Sequence, residues 1–179
     1  MIKSDTIISV LSDDPHIHSQ SSLSGTNTNV SNFTLPSNTV AWGFYLAVGQ
    51  ETQRALTATT GKLINSAAPF VSAIPGGKMA EFGATGADYL ALAQGEEHIA
   101  YSVTDHEGKQ ITYGDASKAY KPFTTPTEGI IYVSLTNNNL LTAVDASIRI
   151  AAVVVNNQWG ERPVSKMHIS SRQEAHLGK

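Results

Sequence analysis

The chain has 179 residues, of which 41% are hydrophobic and 15% are charged. This length is enough for one domain with its own core. A charged fraction below the roughly 25% of average soluble domains indicates a neutral, polar surface, which favours a location outside the cytoplasm. The net charge of -3 disfavours nucleic acid as a partner, and the absence of cysteine excludes disulfides, thiolate nucleophiles and cysteine-based metal centres.

The N-terminal third predicts three strands. The apolar patch from Ile7 to Leu11 is typical of an outer strand, and a second outer strand is expected from Val30 to Leu35. From Val40 to Val48, every second residue is large and apolar and the residues between are mostly small, which predicts a core strand carrying Trp42 and Phe44. No apolar run approaches the length of a membrane-spanning helix.

The segment after the core strand changes to helical spacing and predicts one helix near residues 51–67, ended by Pro69. The glycines and prolines of Ser72–Gly86 predict a long loop. The residues expected on the buried face of the helix are Leu56, Thr60, Leu63, Ile64 and Ala67.

Short strands separated by turns follow in the C-terminal half, together with a hairpin turn at Asp105–Gly108. The pattern predicts an all-β fold, a two-sheet antiparallel β-sandwich of about eight strands with one inserted helix. We expect an extended N-terminal arm at 1–29, the sandwich at 30–155 and a polar C-terminal tail at 156–179. The predicted strands are Tyr89–Ala93, His98–Thr104, Lys109–Tyr113, Ile130–Leu135 and Ala146–Val155.

Titratable residues form small groups that we weigh as catalytic or metal sites. His16 and His18 could offer two imidazoles on one side of an extended segment, but solvated surface histidines fit equally well. Glu96–His98 and Asp105–Glu107 lie at opposite ends of one predicted strand, about 20 Å apart, so they cannot cooperate within one chain. A calcium site at Asp105–Glu107 with Asp115 is a minor alternative.

Known catalytic and nucleotide-binding motifs are absent from the sequence. It contains no nucleophile elbow, no phosphate-binding loop and no dinucleotide fingerprint. We therefore expect no enzyme activity, no cofactor and no resident metal. A hydrolase acting through His98 or His106 is the least favoured alternative, since it requires a buried carboxylate or serine beside the imidazole.

Two groups of residues are candidates for contact with partners. The first strand, at Ile7, Ile8, Val10 and Leu11, is a candidate for self-association by strand exchange. Trp159 and Tyr120 are candidates for stacking a sugar or anchoring a partner, although core packing at the strand exit is the favoured interpretation of Trp159. The leading hypothesis is a structural or adhesive subunit of a homo-oligomeric, bacterial assembly, and the alternative is a glycan- or small-ligand-binding module.

The C-terminal half also carries a family likeness. The stretches His98–Asp105, Glu128–Asn139 and Ser147–Val155 place a strand that follows Gly129 and carries Tyr132 before an asparagine-containing turn and a closing apolar strand. This order resembles the GOLD-like β-sandwich domains over Glu97–Val155, about a third of the chain. The resemblance implies a non-enzymatic domain for protein or ligand contact and transfers no site residue, and the predicted helix departs from the family pattern.

Overall fold

The computed structural model describes residues 2–66, 86–91, 95 and 97–159, and the side chains within 7–64, 86–91, 95 and 97–156. The fold is a two-sheet antiparallel β-sandwich, as predicted, with a helix on the outside of one sheet. The described elements are β1 (Ile2–Asp13), β2 (His16–Ile17), β3 (Thr28–Thr34), β4 (Thr39–Val48), α1 (Gln50–Ser66), β5 (Ile99–Thr104), β6 (Gln110–Ala116), β7 (Lys118–Phe123), β8 (Ile130–Thr136) and β9 (Val144–Trp159).

The two sheets are formed by strands that are distant in sequence. The five-stranded sheet has the order β1-β9-β4-β7, with β2 also pairing with β9, and the four-stranded sheet has the order β3-β8-β5-β6. The main core lies between the sheets and includes Trp42, Phe44 and Ile150, all 0% exposed. In this order, β1 and β7 are the edges of the first sheet and β3 and β6 are the edges of the second.

Strand β4 is buried on both faces, although its sequence suggested one large and one small face. Trp42 and Phe44 face the main core, while Ala41 and Tyr45 face a second core beneath α1. Val40 was predicted to share the face of Trp42, but it is 42% exposed because the pairing with β9 skips it at a β-bulge between Thr39 and Ala41.

Helix α1 matches the prediction and begins after a tight turn. Gly49 has a φ of 81°, in the left-handed region that favours glycine, and its N–H donates to the carbonyl oxygen of Asp145 at 3.0 Å. Leu56 and Leu63 are buried against the sheet as predicted, whereas Ile64 is 52% exposed and its assignment to the buried face was wrong. Ala67 and residues 72–85 of the predicted loop lie outside the described part of the chain.

Three strand predictions differ from the structure. Residues 86–91 are helical, so a strand beginning at Tyr89 is wrong; residues 92 and 93 are not described. Strand β7 was missed because its lysines and Pro122 are typical of a connection. Strands β1 and β9 are longer than expected, and β9 continues to Trp159, whose backbone pairs with Ile2. Residues 160–179 of the predicted tail are outside the described part of the chain.

Candidate functional site

The free edge of β1 is the first candidate contact surface. All twelve residues of β1 pair with β9 on one side, and no described strand pairs with it on the other. Ile8 and Val10 pack partly against the core beneath α1, and Leu11 packs partly against the main core. Ile7 is 44% exposed. The predicted self-association residues therefore lie along one continuous sheet edge, with apolar side chains on both of its faces.

The opposite edge of the same sheet has a different chemistry. Strand β7 has the sequence KAYKPF, which places two lysines and a proline on the edge. Lysine and proline at an edge oppose pairing with another chain, because the one adds charge and the other lacks a backbone donor. The stretch from Ile7 to Ser12 contains neither residue type and no charge.

The proposed contact residue Tyr120 is buried rather than displayed. It belongs to a tyrosine cluster beneath α1, formed with Tyr45 and Tyr89, in which the ring centroids of Tyr45 and Tyr120 are 4.8 Å apart. Burial raises the pKa of Tyr120 to about 12 and raises the pKa of the other two tyrosines further. Tyr89 donates its hydroxyl to the carbonyl oxygen of Leu46 at 2.6 Å. The Tyr120 ring is thus a core group, and the Trp159 side chain lies outside the described residues.

A different tyrosine is exposed, in a shallow groove on the outer face of the four-stranded sheet. Tyr113 of β6 is 72% exposed. It lies directly opposite Ser102 of β5, which in turn lies opposite Ser134 of β8. Small hydroxyl residues in the middle of the sheet leave a groove of about 500 Å³ beside the ring, lined also by Ala100, Gln110 and Thr136.

This outer face is almost free of charge. Strands β3, β5 and β8 contain no charged residue, and β6 contains one, Asp115. Sequence reasoning missed Tyr113 because it treated β6 as the second half of a hairpin and not as part of a surface. The signal available in the sequence was the spacing of Tyr113 and Asp115, which are two residues apart and therefore lie on the same face of the strand.

The titratable groups singled out in the sequence stand as exposed pairs. The Nδ1 of His98 is 3.5 Å from Oδ1 of Asp115, and both side chains are more than half exposed. The Nε2 of His106 is 3.9 Å from Oε1 of the neighbouring Glu107, again at the surface. Glu96 is outside the described residues. In the described part of the chain, neither histidine meets the buried carboxylate or serine that a hydrolase would require.

His16 and His18 are adjacent, with ring centroids 5.1 Å apart and edge-to-face geometry. The Nδ1 of His16 is 2.6 Å from Oδ1 of Asp145. Among the described residues, no group of three or more histidine, cysteine, aspartate or glutamate side chains is placed to hold a metal ion.

One salt bridge connects the end of β1 to the sheet. Arg149 of β9 donates to both carboxylate oxygens of Asp14, at 2.7 and 3.2 Å. The guanidinium holds the pKa of the Asp14 carboxyl below its usual value. Arg149 also donates to the carbonyl oxygen of Asp13 at 3.2 Å, which fixes the turn between β1 and β2.

The loops at one end of the sandwich are tied together by a buried side chain. Asn137, which is 0% exposed, lies in the loop between β8 and β9. Its Nδ2 is within hydrogen-bond distance of the carbonyl oxygens of Ile17, His18 and Thr142, at 3.3, 3.2 and 2.8 Å. Its Oδ1 accepts from the backbone N–H of Asn139 at 2.9 Å. The N-terminal loop and the β8–β9 loop are therefore held as one unit.

The comparisons with known proteins add no relative. No protein-family model matches the chain, and no curated protein matches it significantly. The resemblance of Glu97–Val155 to GOLD-like sandwiches accordingly stays a prediction. Within the described residues, none of the helices combines the length and hydrophobicity needed to cross a membrane.

Proposed function

We propose that the protein is a non-catalytic β-sandwich that works by surface contact, as a structural subunit of a homo-oligomeric assembly outside the cytoplasm. The observation that carries this proposal is the unpaired edge of β1 along Ile7–Ser12, a stretch without charge or proline that lies between Asp5 and Asp13. The exposed, separate positions of the titratable pairs support a role without catalysis, since acid–base chemistry needs groups that converge on a pocket.

An unpaired edge strand presents a row of backbone donors and acceptors that can pair with another strand. Strand β1 is twelve residues long, which is long for an edge, and it pairs with β9 along its whole length. The same sheet protects its other edge with the lysines and proline of β7. The contrast between β7 and the uncharged Ile7–Ser12 stretch supports this part of β1 as the edge that is used.

A second copy of the chain is the partner that fits this edge. Two β1 strands running antiparallel about a two-fold axis would join the two five-stranded sheets into one continuous sheet, as in other isologous dimers. The pairing would cover Ile7 and Leu11 on one face and Ile8 and Val10 on the other. These are the residues that the chain alone buries only in part.

The test is the solution mass by light scattering over a dilution series, for the wild type and for two matched variants. Ile7→Lys adds a charge to the β1 edge, and Val30→Lys adds the same charge to β3, the edge of the other sheet, where Val30 is 59% exposed. We expect a wild-type oligomer that Ile7→Lys converts to monomer and Val30→Lys leaves unchanged. A monomeric wild type throughout the series, or equal effects of both variants, would contradict the proposal.

A second candidate function, binding of a neutral glycan, is favoured by the groove beside Tyr113. Sugars stack their apolar faces on exposed aromatic rings and bond their hydroxyls to side-chain hydroxyls and amides. The groove supplies one such ring, together with Ser102, Ser134, Thr136 and Gln110. The uncharged strands around it suit a neutral ligand better than an acidic one.

Glycan binding is tested by NMR of the ¹⁵N-labelled protein titrated with neutral oligosaccharides of glucose, galactose or N-acetylglucosamine. We expect shifts confined to β5, β6 and β8, lost in Tyr113→Ala and retained in Tyr113→Phe, which keeps the ring. The buried tyrosine cluster serves as an internal control, since its signals are expected not to move. Absence of shifts with all three sugar series would remove this candidate.

A further inference from the structure

Three leucines stand largely exposed at the end of the sandwich where Asn137 ties the loops together. Leu23 is 105% exposed, Leu140 is 63% exposed and Leu141 is 80% exposed. We call these residues the leucine tips. Leu23 lies in the loop between β2 and β3, and the other two lie in the loop between β8 and β9. Exposing a leucine side chain to water is unfavourable, and a leucine so exposed adds nothing to the protein's own core.

Hydrogen bonds hold the two leucine-bearing loops side by side. The N–H of Gln20 donates to the carbonyl oxygen of Asn139 at 2.9 Å, and the N–H of Ser21 donates to that of Leu140 at 3.1 Å. The Ser21 hydroxyl donates to the same Leu140 oxygen at 2.6 Å. The leucine tips therefore form one apolar protrusion on a fixed base.

The loops carry no formal charge. The sequence has no aspartate, glutamate, lysine or arginine between Asp14 and Glu51, or between Glu128 and Asp145. The titratable groups near the base are His18, 3.5 Å from the Ser22 hydroxyl, and the His16–Asp145 pair. A charged group would oppose transfer of this end of the molecule into an apolar medium, and the protrusion itself has none.

Part of the loop backbone is paired within the protein, as a lipid environment favours. Unpaired N–H and C=O groups are costly in the bilayer, where there is no water to replace a missing partner. Asn137 covers the carbonyls of Ile17, His18 and Thr142, and the loops pair their own backbone groups with each other. A partner protein could supply hydrogen bonds of its own, whereas the bilayer core cannot, so the internal pairing together with the absence of charge suits a lipid partner.

The geometry points to a membrane-docking end: the leucine tips insert into the interfacial region of a lipid bilayer while the sandwich stays in water. The occupant is the lipid surface itself, recognised through its apolar layer and not through its headgroup charge. Serine and asparagine side chains flanking the leucines suit the headgroup region, where hydroxyls and amides remain hydrated.

The first test uses the absence of cysteine, which allows a single label to be placed on the full chain. Leu141→Cys carrying the environment-sensitive dye NBD is mixed with phosphatidylcholine vesicles, and Val30→Cys with the same dye is the matched control on an exposed strand. We expect NBD emission to rise and shift to the blue at position 141 and to stay constant at position 30. Equal responses at both positions, or none at 141, would overturn the inference.

The second test is vesicle flotation of unlabelled protein. We expect the double variant Leu140→Ser/Leu141→Ser to lower the partition coefficient at least tenfold, and Ile64→Ser, which removes an exposed apolar residue from α1, to leave it unchanged. Binding should persist in high salt and without anionic lipid. Binding that needs anionic lipid and is lost in salt would contradict insertion of uncharged leucines.

The outcome is separable from that of the self-association proposal. Ile7→Lys should still bind vesicles if the leucine tips dock the membrane, whatever its oligomeric state. If the wild type fails to bind vesicles and the double leucine variant instead loses self-association, the leucines form a contact between copies and the membrane inference is wrong.

Discussion

Replacing Asn137 by alanine should be among the most destabilising single changes outside the apolar core. The alanine removes the two N–H donors shared among three carbonyl oxygens and the acceptor for Asn139 N–H. Three lost hydrogen bonds at about 1 kcal/mol each give about 3 kcal/mol, and the buried carbonyl of Ile17 adds to this because water cannot easily reach it. For a chain of this size, 3 kcal/mol lowers Tm by about 6–12 °C.

The measurement is thermal unfolding followed by circular dichroism, with Asn138→Ala as the matched control. Asn138 is the next residue in the same loop and is exposed, so its replacement should change stability by less than about 0.5 kcal/mol. Asn137→Asp adds a second check, because aspartate keeps the acceptor and the shape but cannot donate when ionised. A Tm for Asn137→Ala within 2 °C of the Asn138→Ala value would refute the hydrogen-bond accounting.

Three further predictions concern the tyrosine cluster, the Asp14 salt bridge and two glycines. Burial holds the three tyrosines of the cluster protonated, so their contribution to stability is fully present below pH 10 and should fall by about 4 kcal/mol per pH unit above it. Absorbance at 295 nm should reach the value for all six tyrosines only as the fold is lost, and ionisation of all six without unfolding would contradict this. The lowered pKa of Asp14 means that its ionised form stabilises the fold at pH values above the normal aspartate range. Because the side chain is largely exposed, Asp14→Asn should lower the free energy of unfolding in urea at pH 7 by at most about 1 kcal/mol. The difference in stability between wild type and variant should vanish as the pH falls and Asp14 of the wild type is protonated. Gly49→Ala should destabilise the protein by about 1 kcal/mol, because the φ of Gly49 is 81°. Gly61→Ala should stabilise α1 by up to about 1 kcal/mol, because no atom of the rest of the protein lies within 4 Å of the new methyl group. Changes in Tm of the same sign for both variants in thermal unfolding would show that backbone conformation is not the cause.

The sequence was sufficient to predict the sandwich, because its strands alternate in the manner of sheets with one buried face. Strand β5 and its hairpin with β6 are the clearest cases, with buried residues at every second position of β5. The small face of β4 was misleading, since small residues fit both a solvent-facing strand and a strand beneath a helix. The alanines at 41 and 47 leave room for α1, a relationship that only the packed structure reveals.

The errors have local physical causes. Val40 obeys the alternation of its neighbours, but a bulge shifts it to the surface, and bulges leave little trace in a hydrophobic pattern. A run of asparagines such as 137–139 is typical of left-handed turns, yet the positive φ among described non-glycine residues is found at Asn38, with a value of 63°. The role of Asn137 comes from the hydrogen bonds of its side-chain amide, and its burial depends on an N-terminal segment that lies far away in the sequence.

The candidate surfaces were predicted in part. The β1 edge followed from an apolar strand near the terminus, and its place at the edge of a sheet agrees with the prediction of an outer strand. Tyr120 was predicted to be a contact residue and is buried instead, because a tyrosine in a lysine- and proline-rich stretch resembles a surface residue. Tyr113 and the leucine tips could not be ranked from sequence, since exposure depends on which neighbouring strands and loops leave them uncovered.

The two proposed contacts constrain each other through the direction of β9. The leucine tips lie beside its first residues, and β1 pairs with it as far as Trp159, about 50 Å away at 3.3 Å per residue. A two-fold axis that pairs β1 with a second β1 antiparallel reverses the strand direction, so the leucine tips of the two copies point in opposite directions. Such a dimer cannot place both protrusions on one flat bilayer, but it can join two bilayers. We therefore expect the wild type to cluster phosphatidylcholine vesicles, measured as turbidity, and Ile7→Lys to bind vesicles without clustering them. Strong binding of a wild-type dimer without any clustering would rule out the antiparallel arrangement of β1 strands.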